Sequence, residues 1–263
     1  ITAWLSNHTA AKVYEMATGA NAVGAEICGM GAQNNVSSIL NSDVKSYLVY
    51  QAEHDDFDNS YLAHSSLEDA ESVVLISSFA DDNMKQVADV ILPIGLASEI
   101  AGSYFNNFAN NQYCAPASKL PADTKPGWRV IRVLANLLDV KGFDYEDIKE
   151  VSAEIGKIKI HKGQISLDSQ INEVSATDFV LFTETGIYDV DMLTRRSTPL
   201  QDTVHASTDN IVINSLDAEK LNLDNGQEVS LLQEFDGDSI QEDLFVEIDD
   251  CIPAGSVFVH KCI

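Results

Sequence analysis

Three short runs rich in apolar residues constrain the fold of this chain most. They cover residues 44–50, 72–77 and 89–93. The second and third runs are continuous in apolar residues rather than alternating with polar ones, and helical patterns of about ten residues separate the three. Apolar strands linked by helices are typical of a parallel sheet buried on both faces. The sequence therefore predicts a doubly wound α/β domain over residues 1–142, closed by an amphipathic helix at 128–138.

The second half of the chain has the signals of a β domain. Short strands separated by turn residues are expected at 179–182, 210–214, 228–232, 244–248 and 256–259. Such spacing favours a small β-barrel over residues 179–263. Residues 143–178 carry no strong period and are interpreted as a connector with some helix.

The charge of the chain argues against nucleic-acid binding. Sixteen Lys and Arg residues against 41 Asp and Glu residues give a formal charge of −25. A surface this acidic repels a phosphate backbone, and no basic stripe offsets it. Apolar residues make up 45% of the chain, which is typical of a globular protein. We therefore interpret the charge as a solvated acidic surface.

The cysteines and the N-terminus point to no metal site and no membrane segment. Cys28, Cys114, Cys251 and Cys262 lack the short paired spacings of zinc and iron–sulfur ligands, so idle thiols in a reducing compartment are preferred. No apolar run could span a bilayer, and the first residues do not form a signal peptide. We expect a soluble chain that is a piece of a longer protein.

Two stretches could bind a ligand, but each has a plainer interpretation. Carboxylates surround His54 at the end of a predicted strand, where a divalent cation could bind; they are Glu53, Asp55, Asp56 and Asp58. This loop lacks the glycine of a calcium loop, so we favour a solvated acidic loop. Glycines recur over residues 19–31, but without G-x-G-x-x-G spacing or a preceding strand, which favours turn glycines over a phosphate loop.

The adjacent arginines Arg195 and Arg196 are the remaining candidate. They could clamp a carboxylate or phosphate, or they could anchor the barrel to the first domain through acidic partners. We favour the second interpretation because 41 carboxylates are available. No zinc-protease histidine pair and no G-x-S-x-G step occur. The sequence thus predicts no catalytic, cofactor-binding or metal-binding residue.

Several motifs resemble those of known oxidoreductases. Residues 73–77 form a strand, residues 88–93 read Ala-Asp-Val-x-Leu-Pro, and residues 99–106 read Glu-x-x-Gly-x-x-x-Asn, an order that resembles the molybdopterin oxidoreductase superfamily. Within it, residues 125–145 and 187–201 look like the large iron–sulfur subunits of bacterial respiratory NADH–quinone oxidoreductase, complex I. The run from residue 214 to residue 255 resembles the superfamily's C-terminal barrel.

The resemblance implies a fold and also an absence of cofactors. The implied fold is a doubly wound domain followed by a β-barrel of the molybdopterin-dinucleotide-binding type. In the family, cysteines of the N-terminal part hold iron–sulfur clusters, and the cysteines here match none of those spacings. Phe108, Ala109 and Asn110 replace the superfamily's Glu-Gly-Arg, which removes a close backbone approach and a bidentate partner for an anion. We therefore expect no pterin, cluster or metal in this chain.

The function implied by the resemblance is that of a non-catalytic scaffold region in a complex that transfers electrons from NADH to quinone. Expected partners are the N-terminal part of its own subunit and other peripheral-arm subunits, without nucleic acid or direct membrane insertion. The expected location is cytoplasmic, at the inner membrane through the complex. Whether the chain counts as an enzyme stays open. Two alternatives remain: a cofactor-binding portion of a molybdopterin-dependent enzyme such as a formate dehydrogenase, and a free-standing small-molecule-binding protein.

Overall fold

The computed structural model of the chain describes residues 4–5, 8–12, 19–30, 35–155, 158, 179–235 and 238–260, without the side chains of 233–235 and 238–240. Two compact units divide the chain. The first unit comprises residues 1–51, 72–78 and 89–171, and the second comprises residues 52–71, 79–88 and 172–263. The predicted boundaries at residues 142 and 179 stay a prediction.

A parallel sheet forms the centre of the first unit. Its strands follow the order β1 (Ser46–Tyr50), β2 (Ser72–Ser77), β3 (Val90–Pro93), and both neighbouring pairs are parallel. The predicted parallel sheet is thus confirmed. Burial is concentrated in the central strand β2, where Val73, Leu75 and Ile76 are at most 1% exposed.

The two outer strands of this sheet keep apolar side chains in contact with solvent. Leu48 and Tyr50 on β1 are 51% and 44% exposed, and Val90 and Ile91 on β3 are 45% and 41% exposed. The expectation of a doubly wound sheet buried on both faces is therefore not confirmed for the outer strands. Of the three strands described in this sheet, only β2 has a neighbouring strand on each side.

The first unit also contains a hairpin and four helices with defined bounds, and residues 4, 5 and 8 are helical as well. The hairpin pairs β4 (Gly102–Phe105) with β5 (Asn111–Cys114) in antiparallel fashion. The sequence analysis did not predict it, because every residue of β5 is exposed and neither strand is apolar throughout. The helices are α1 (Ala22–Ile27), α2 (Val36–Leu40), α5 (Gly127–Leu137) and α6 (Ile148–Ile155). Helix α5 confirms the expected helix within one residue at each end.

Short capped helices occur in the second unit. They are α3 (Ser60–Glu68), α4 (Asp82–Val87), α7 (Thr198–Gln201), α8 (Ser215–Leu221) and a 3-10 turn (His54–Asp56). Side-chain oxygens of Asn59 and Asp81 accept hydrogen bonds from the backbone amides of Leu62 and Met84 and thereby start α3 and α4. Polar cap residues in the sequence thus fix where α3 and α4 begin.

A curled five-stranded sheet carries the core of the second unit. Its order is β6 (Val180–Thr183), β10 (Ser256–Val259), β7 (Asn210–Ile213), β9 (Asp238–Ile248), β8 (Glu228–Phe235). Ile213, Leu244 and Val259 are at most 2% exposed in the core beneath it. Strands β6 and β8 are edges among the described residues, so the sheet is a half-barrel and the closed barrel is not confirmed. The predicted turn at residues 236–238 lies partly outside the described residues.

The predicted connector, residues 143–178, is described only at its start. Helix α6 fits the expectation of some helix there. Apart from residue 158, residues 156–178 lie outside the described residues.

Candidate functional site

The carboxyl edge of the parallel sheet is the place where ligands of α/β sheets bind. Gln51 follows β1, and its Oε1 accepts hydrogen bonds from the backbone N of Ser78, at 2.9 Å, and from Ser77 Oγ, at 3.1 Å. Gln51 Nε2 donates to Ser78 Oγ at 3.1 Å, and Ser78 Oγ donates to the Gly95 carbonyl at 3.1 Å. Side chains of the protein itself therefore occupy the polar groups of this edge.

The backbone of Gln51, whose side chain forms this network, has a conformation that favours glycine. Its φ is 51°, in the left-handed region, where an L-residue costs about 1–2 kcal/mol. Hydrogen bonds from two neighbouring serines offset that cost. The same bonds engage the Ser78 amide within the chain.

We expect Gln51→Ala to lower the free energy of unfolding by about 1–2 kcal/mol, since Ser77 Oγ and the Ser78 amide lose their shared acceptor. Urea denaturation followed by far-ultraviolet circular dichroism measures this change. Gln112→Ala, at an exposed position of β5, is the matched control and should stay within about 0.5 kcal/mol of the wild type. Equal effects of the two substitutions would contradict a special role of Gln51.

The loop that departs from the superfamily pattern forms the tip of the β4–β5 hairpin. Asn106 Oδ1 accepts hydrogen bonds from the backbone N of Phe108 and of Asn110, both at 3.0 Å. Ala109 has a φ of 60°, and the Phe108 side chain is 76% exposed. The amides of Phe108 and Asn110 thus already have an acceptor within the loop.

Two of the candidates from the sequence meet in the second unit. Arg195 Nη1 donates to Asp56 Oδ1 at 2.9 Å, and Arg195 Nη2 donates to Glu53 Oε2 at 3.1 Å. Arg196 Nη1 donates to the same Glu53 Oε2 at 2.7 Å, while its Nη2 donates to Glu53 Oε1. We call these four residues the arginine–carboxylate cluster. The sequence analysis favoured acidic partners for the two arginines but did not identify Glu53 and Asp56 as those partners.

The cluster is well buried at its centre. The side chains of Glu53 and Arg195 are 3% and 11% exposed, and those of Asp56 and Arg196 are 27% and 35% exposed. Arg195 also donates to the Asp189 carbonyl at 2.8 Å, and Arg196 to the Met192 carbonyl at 3.0 Å. Both guanidinium groups are therefore engaged within the chain, which favours a structural tie over a clamp for a ligand.

Two opposing effects set the pKa of Glu53. Burial raises the pKa of this carboxyl, but hydrogen bonds from Arg196 and Arg195 outweigh burial and hold the pKa below its ordinary value. The backbone around it is also fixed, because the Glu53 amide donates to Asp56 Oδ2 at 2.8 Å and the His54 amide to Asp81 Oδ2 at 2.8 Å. The Glu53 carboxylate is therefore ionised, and the backbone hydrogen bonds around it fix its position.

The lowered pKa predicts acid sensitivity. A carboxyl whose pKa is lower in the folded chain stabilises fully above its unfolded pKa, about 4.3, and this stabilisation is lost as the pH falls through the folded value. We expect the wild-type urea midpoint to drop more than that of Glu53→Gln between pH 5 and a pH of about 3. Urea titrations of both proteins measure the difference. Parallel pH profiles would contradict an ionised Glu53.

The histidines, cysteines and carboxylates are the side chains that could bind a metal ion in this chain. Within the described ranges, no three His, Cys, Asp or Glu side chains converge so as to hold a metal ion. Cys28, Cys114 and Cys251 are exposed free thiols, and Cys262 lies outside the described residues. The acidic stretch around His54 instead supplies Glu53 and Asp56 to the two arginines.

A groove along helix α5 in the first unit was missed by the sequence analysis. Its volume is about 660 Å³. Five apolar side chains line it: Leu92, Val130, Val133, Leu134 and Leu137. Four charged residues also line it: Lys125, Arg129, Arg132 and Glu146. The apolar face of the helix was visible in the sequence, but its meeting with Leu92 and Glu146 depends on the fold.

Comparison with known proteins identifies relatives of this chain. The family model described as molybdopterin oxidoreductase matches residues 5–137, just over half of the chain. The 78 kDa subunit of the mitochondrial NADH-ubiquinone oxidoreductase of Candida albicans is 28% identical over 125 residues, which is 47% of this chain and 14% of that protein. The 75 kDa subunit of NADH-ubiquinone oxidoreductase of Reclinomonas americana is 26% identical over 147 residues, 55% of this chain and 20% of that protein. The chain therefore matches only a minor part of each relative.

A solved structure supports the fold. Acetylene hydratase from Pelobacter acetylenicus superposes with a TM-score of 0.56 over 82% of this chain and 37% of that chain, at 13% sequence identity. None of the described helices has both the length and the apolar character needed to cross a membrane. Because the family model covers half of the sequence and confirms the resemblance in the motifs, this chain belongs to the molybdopterin oxidoreductase family.

Proposed function

We propose that the chain is a non-catalytic scaffold region of the large iron–sulfur subunit in the peripheral arm of an NADH–quinone oxidoreductase. The relatives named as NADH-ubiquinone oxidoreductase subunits support this proposal, as do the motifs at residues 125–145 and 187–201 that resemble this subunit. The parent complex would transfer electrons from NADH to quinone. This region would hold the cluster-bearing part of its subunit in place and would carry out no chemical step.

The observation that carries the proposal is the internal use of groups that could receive an anionic cofactor. Arg195 and Arg196 bind Glu53 and Asp56, and the Ser78 amide binds Gln51. Because buried carboxylates engage Arg195 and Arg196, these two arginines leave no bidentate site for a phosphate. Such an arrangement suits a structural part.

The same contacts bear on the pterin that the family implies. At the hairpin tip, the amides of Phe108 and Asn110 bind Asn106, and Asn110 stands where the superfamily pattern has arginine. These residues do not fit a pterin dinucleotide, which needs free donors and close backbone approach. We therefore propose that this chain holds no pterin and no molybdenum or tungsten. The iron–sulfur clusters of the parent subunit would lie in its N-terminal part.

The proposal includes partners and a location. The partners are the N-terminal part of its own subunit and other peripheral-arm subunits, without nucleic acid and without direct insertion into lipid. The location is the cytoplasmic side of the inner membrane, reached through the complex. A formal charge of −25 is in keeping with a solvated surface that avoids both nucleic acid and anionic lipid.

Affinity purification of the parent polypeptide from detergent-solubilised membranes tests the proposal. Mass spectrometry of the purified sample should find the other peripheral-arm subunits, and elemental analysis should find iron but no stoichiometric molybdenum or tungsten. The same tag on an unrelated protein of that membrane is the control. Recovery with a formate-oxidising partner, together with one molybdenum or tungsten per chain, would overturn the proposal in favour of a working molybdopterin enzyme.

A further inference from the structure

The α5 groove combines an apolar floor with positive charge. Arg129, Val133 and Leu137 follow one another at i, i+4 spacing along the helix, so they form a stripe with arginine at its N-terminal end. Val133 and Leu137 are 54% and 77% exposed. From residue 129 to residue 137 the helix rises by eight steps of about 1.5 Å, so the stripe is about 12 Å long, a little over two turns.

The arginines of this groove differ from those of the arginine–carboxylate cluster. The chain has four arginines, of which Arg195 and Arg196 bind carboxylates. Arg129 lies 5.2 Å from the ring centroid of Trp128, and no carboxylate among the described residues pairs with Arg129 or Arg132. Arg132 Nε is buried and, within the same residues, has no hydrogen-bond partner. An unsatisfied buried donor is costly, and this cost is reduced when a carboxylate neutralises the charge of the same guanidinium group.

The charge of the rest of the chain makes this groove unusual. The sequence holds 41 acidic residues, yet among the described residues Glu146 is the single carboxylate that lines the groove, against Lys125, Arg129 and Arg132. The groove is therefore a cationic and apolar place on an acidic protein. Its complement is a surface that presents carboxylates beside apolar side chains.

We propose that the α5 groove is the docking site for an amphipathic, carboxylate-bearing segment of a neighbouring subunit. Arginine next to exposed leucine and valine is typical of the contact surface between separate chains, whereas the interior of one folded chain rarely accepts unpaired arginine. Carboxylates of the partner pair with Arg129 and Arg132, and its apolar side chains cover Val133 and Leu137. This inference rests on the proposed function, since it takes the neighbour from the same complex.

Cysteine labelling measures whether the groove is covered. Leu137→Cys in the parent polypeptide is treated with a maleimide, alone and within the purified complex, and peptide mass spectrometry gives the labelling rate at each cysteine. We expect the rate at position 137 to fall at least about tenfold on assembly. Val204→Cys is the matched control, because residue 204 is 95% exposed and lies outside the groove. An unchanged rate at position 137 would overturn the proposal.

Charge reversal and cross-linking identify the segment that covers the α5 groove. Arg129→Glu combined with Arg132→Glu should weaken retention of the neighbouring subunit at least about 30-fold on dilution of the complex, while Lys141→Glu, an exposed position outside the groove, should not. A photo-cross-linker at residue 133 should capture a segment of another subunit that contains Asp or Glu beside apolar residues. Cross-links confined to the parent polypeptide, or to basic segments, would overturn the proposal.

The two proposals fail in different ways. If no peripheral-arm subunit purifies with the parent, the proposed function is wrong. If those subunits purify but the thiol at position 137 keeps its labelling rate, the proposed function stands and the docking site is wrong.

Discussion

Glu53→Gln is expected to lower the free energy of unfolding by about 3 kcal/mol, one of the two largest effects we predict. The Glu53 side chain is 3% exposed and accepts hydrogen bonds from both Arg195 and Arg196. Glutamine has a similar shape, but its amide brings N–H donors towards guanidinium donors and removes the negative charge. The guanidinium groups of Arg195 and Arg196 then lie close together, poorly solvated and with too few hydrogen-bond acceptors.

The size of this effect depends on the interactions that Arg195 and Arg196 keep after the substitution. Removing one partner of a buried ion pair costs about 3–5 kcal/mol, and the lower end applies because Arg195 keeps Asp56 and the Arg196 side chain is 35% exposed. Urea denaturation at pH 7, followed by circular dichroism, measures the change.

Asp82→Asn is the matched control for Glu53→Gln. Asp82 pairs with Lys85 at 2.9 Å, but its side chain is 92% exposed, so the substitution should change stability by less than about 0.5 kcal/mol. Similar losses in Glu53→Gln and Asp82→Asn would mean that the arginine–carboxylate cluster is no stronger than a surface ion pair.

Leu75→Ala is expected to cost about 3–4 kcal/mol of unfolding free energy. Leu75 is 0% exposed in β2, and its register neighbours are Val49 on β1 and Ile91 on β3. A leucine at the centre of a sheet with a strand on each side leaves a cavity that the backbone is too well fixed to close. Thermal and urea denaturation should both show the loss.

Leu48→Ala makes the same chemical change on the edge strand β1 of the same sheet. Leu48 is 51% exposed, so less apolar surface returns to water, and we expect a loss below about 1 kcal/mol. Equal losses at positions 48 and 75 would show that the central strand is not the core of the first unit.

The sequence predicted best those elements whose signal is local. Strands β2 and β10 coincide with the predicted runs at 72–77 and 256–259, because β-branched residues there are bounded by turns or helix caps. Helix α5 is equally clear from its apolar period. The β4–β5 hairpin was missed, because the half-buried residues of β4 and the exposed residues of β5 do not form continuous apolar runs.

Features made by distant residues were beyond the sequence. Arg195 and Glu53 are 142 positions apart, and no local pattern links a doubled arginine to an acidic stretch that far away. Each was recognised, but with separate interpretations. The α5 groove likewise needs Leu92, Lys125 and Glu146 around one helix. Charge and periodicity indicate which residue types are present, whereas pairing depends on topology.

The division of the chain into two units bears on how such a protein can change over generations. Residues 52–71 and 79–88 belong to the second unit, although in the sequence they come between the strands of the first unit. Neither unit is therefore encoded by one uninterrupted stretch of a gene. A single gene segment long enough to carry the whole of either unit would also carry parts of the other, so neither unit can be duplicated or exchanged on its own as one segment.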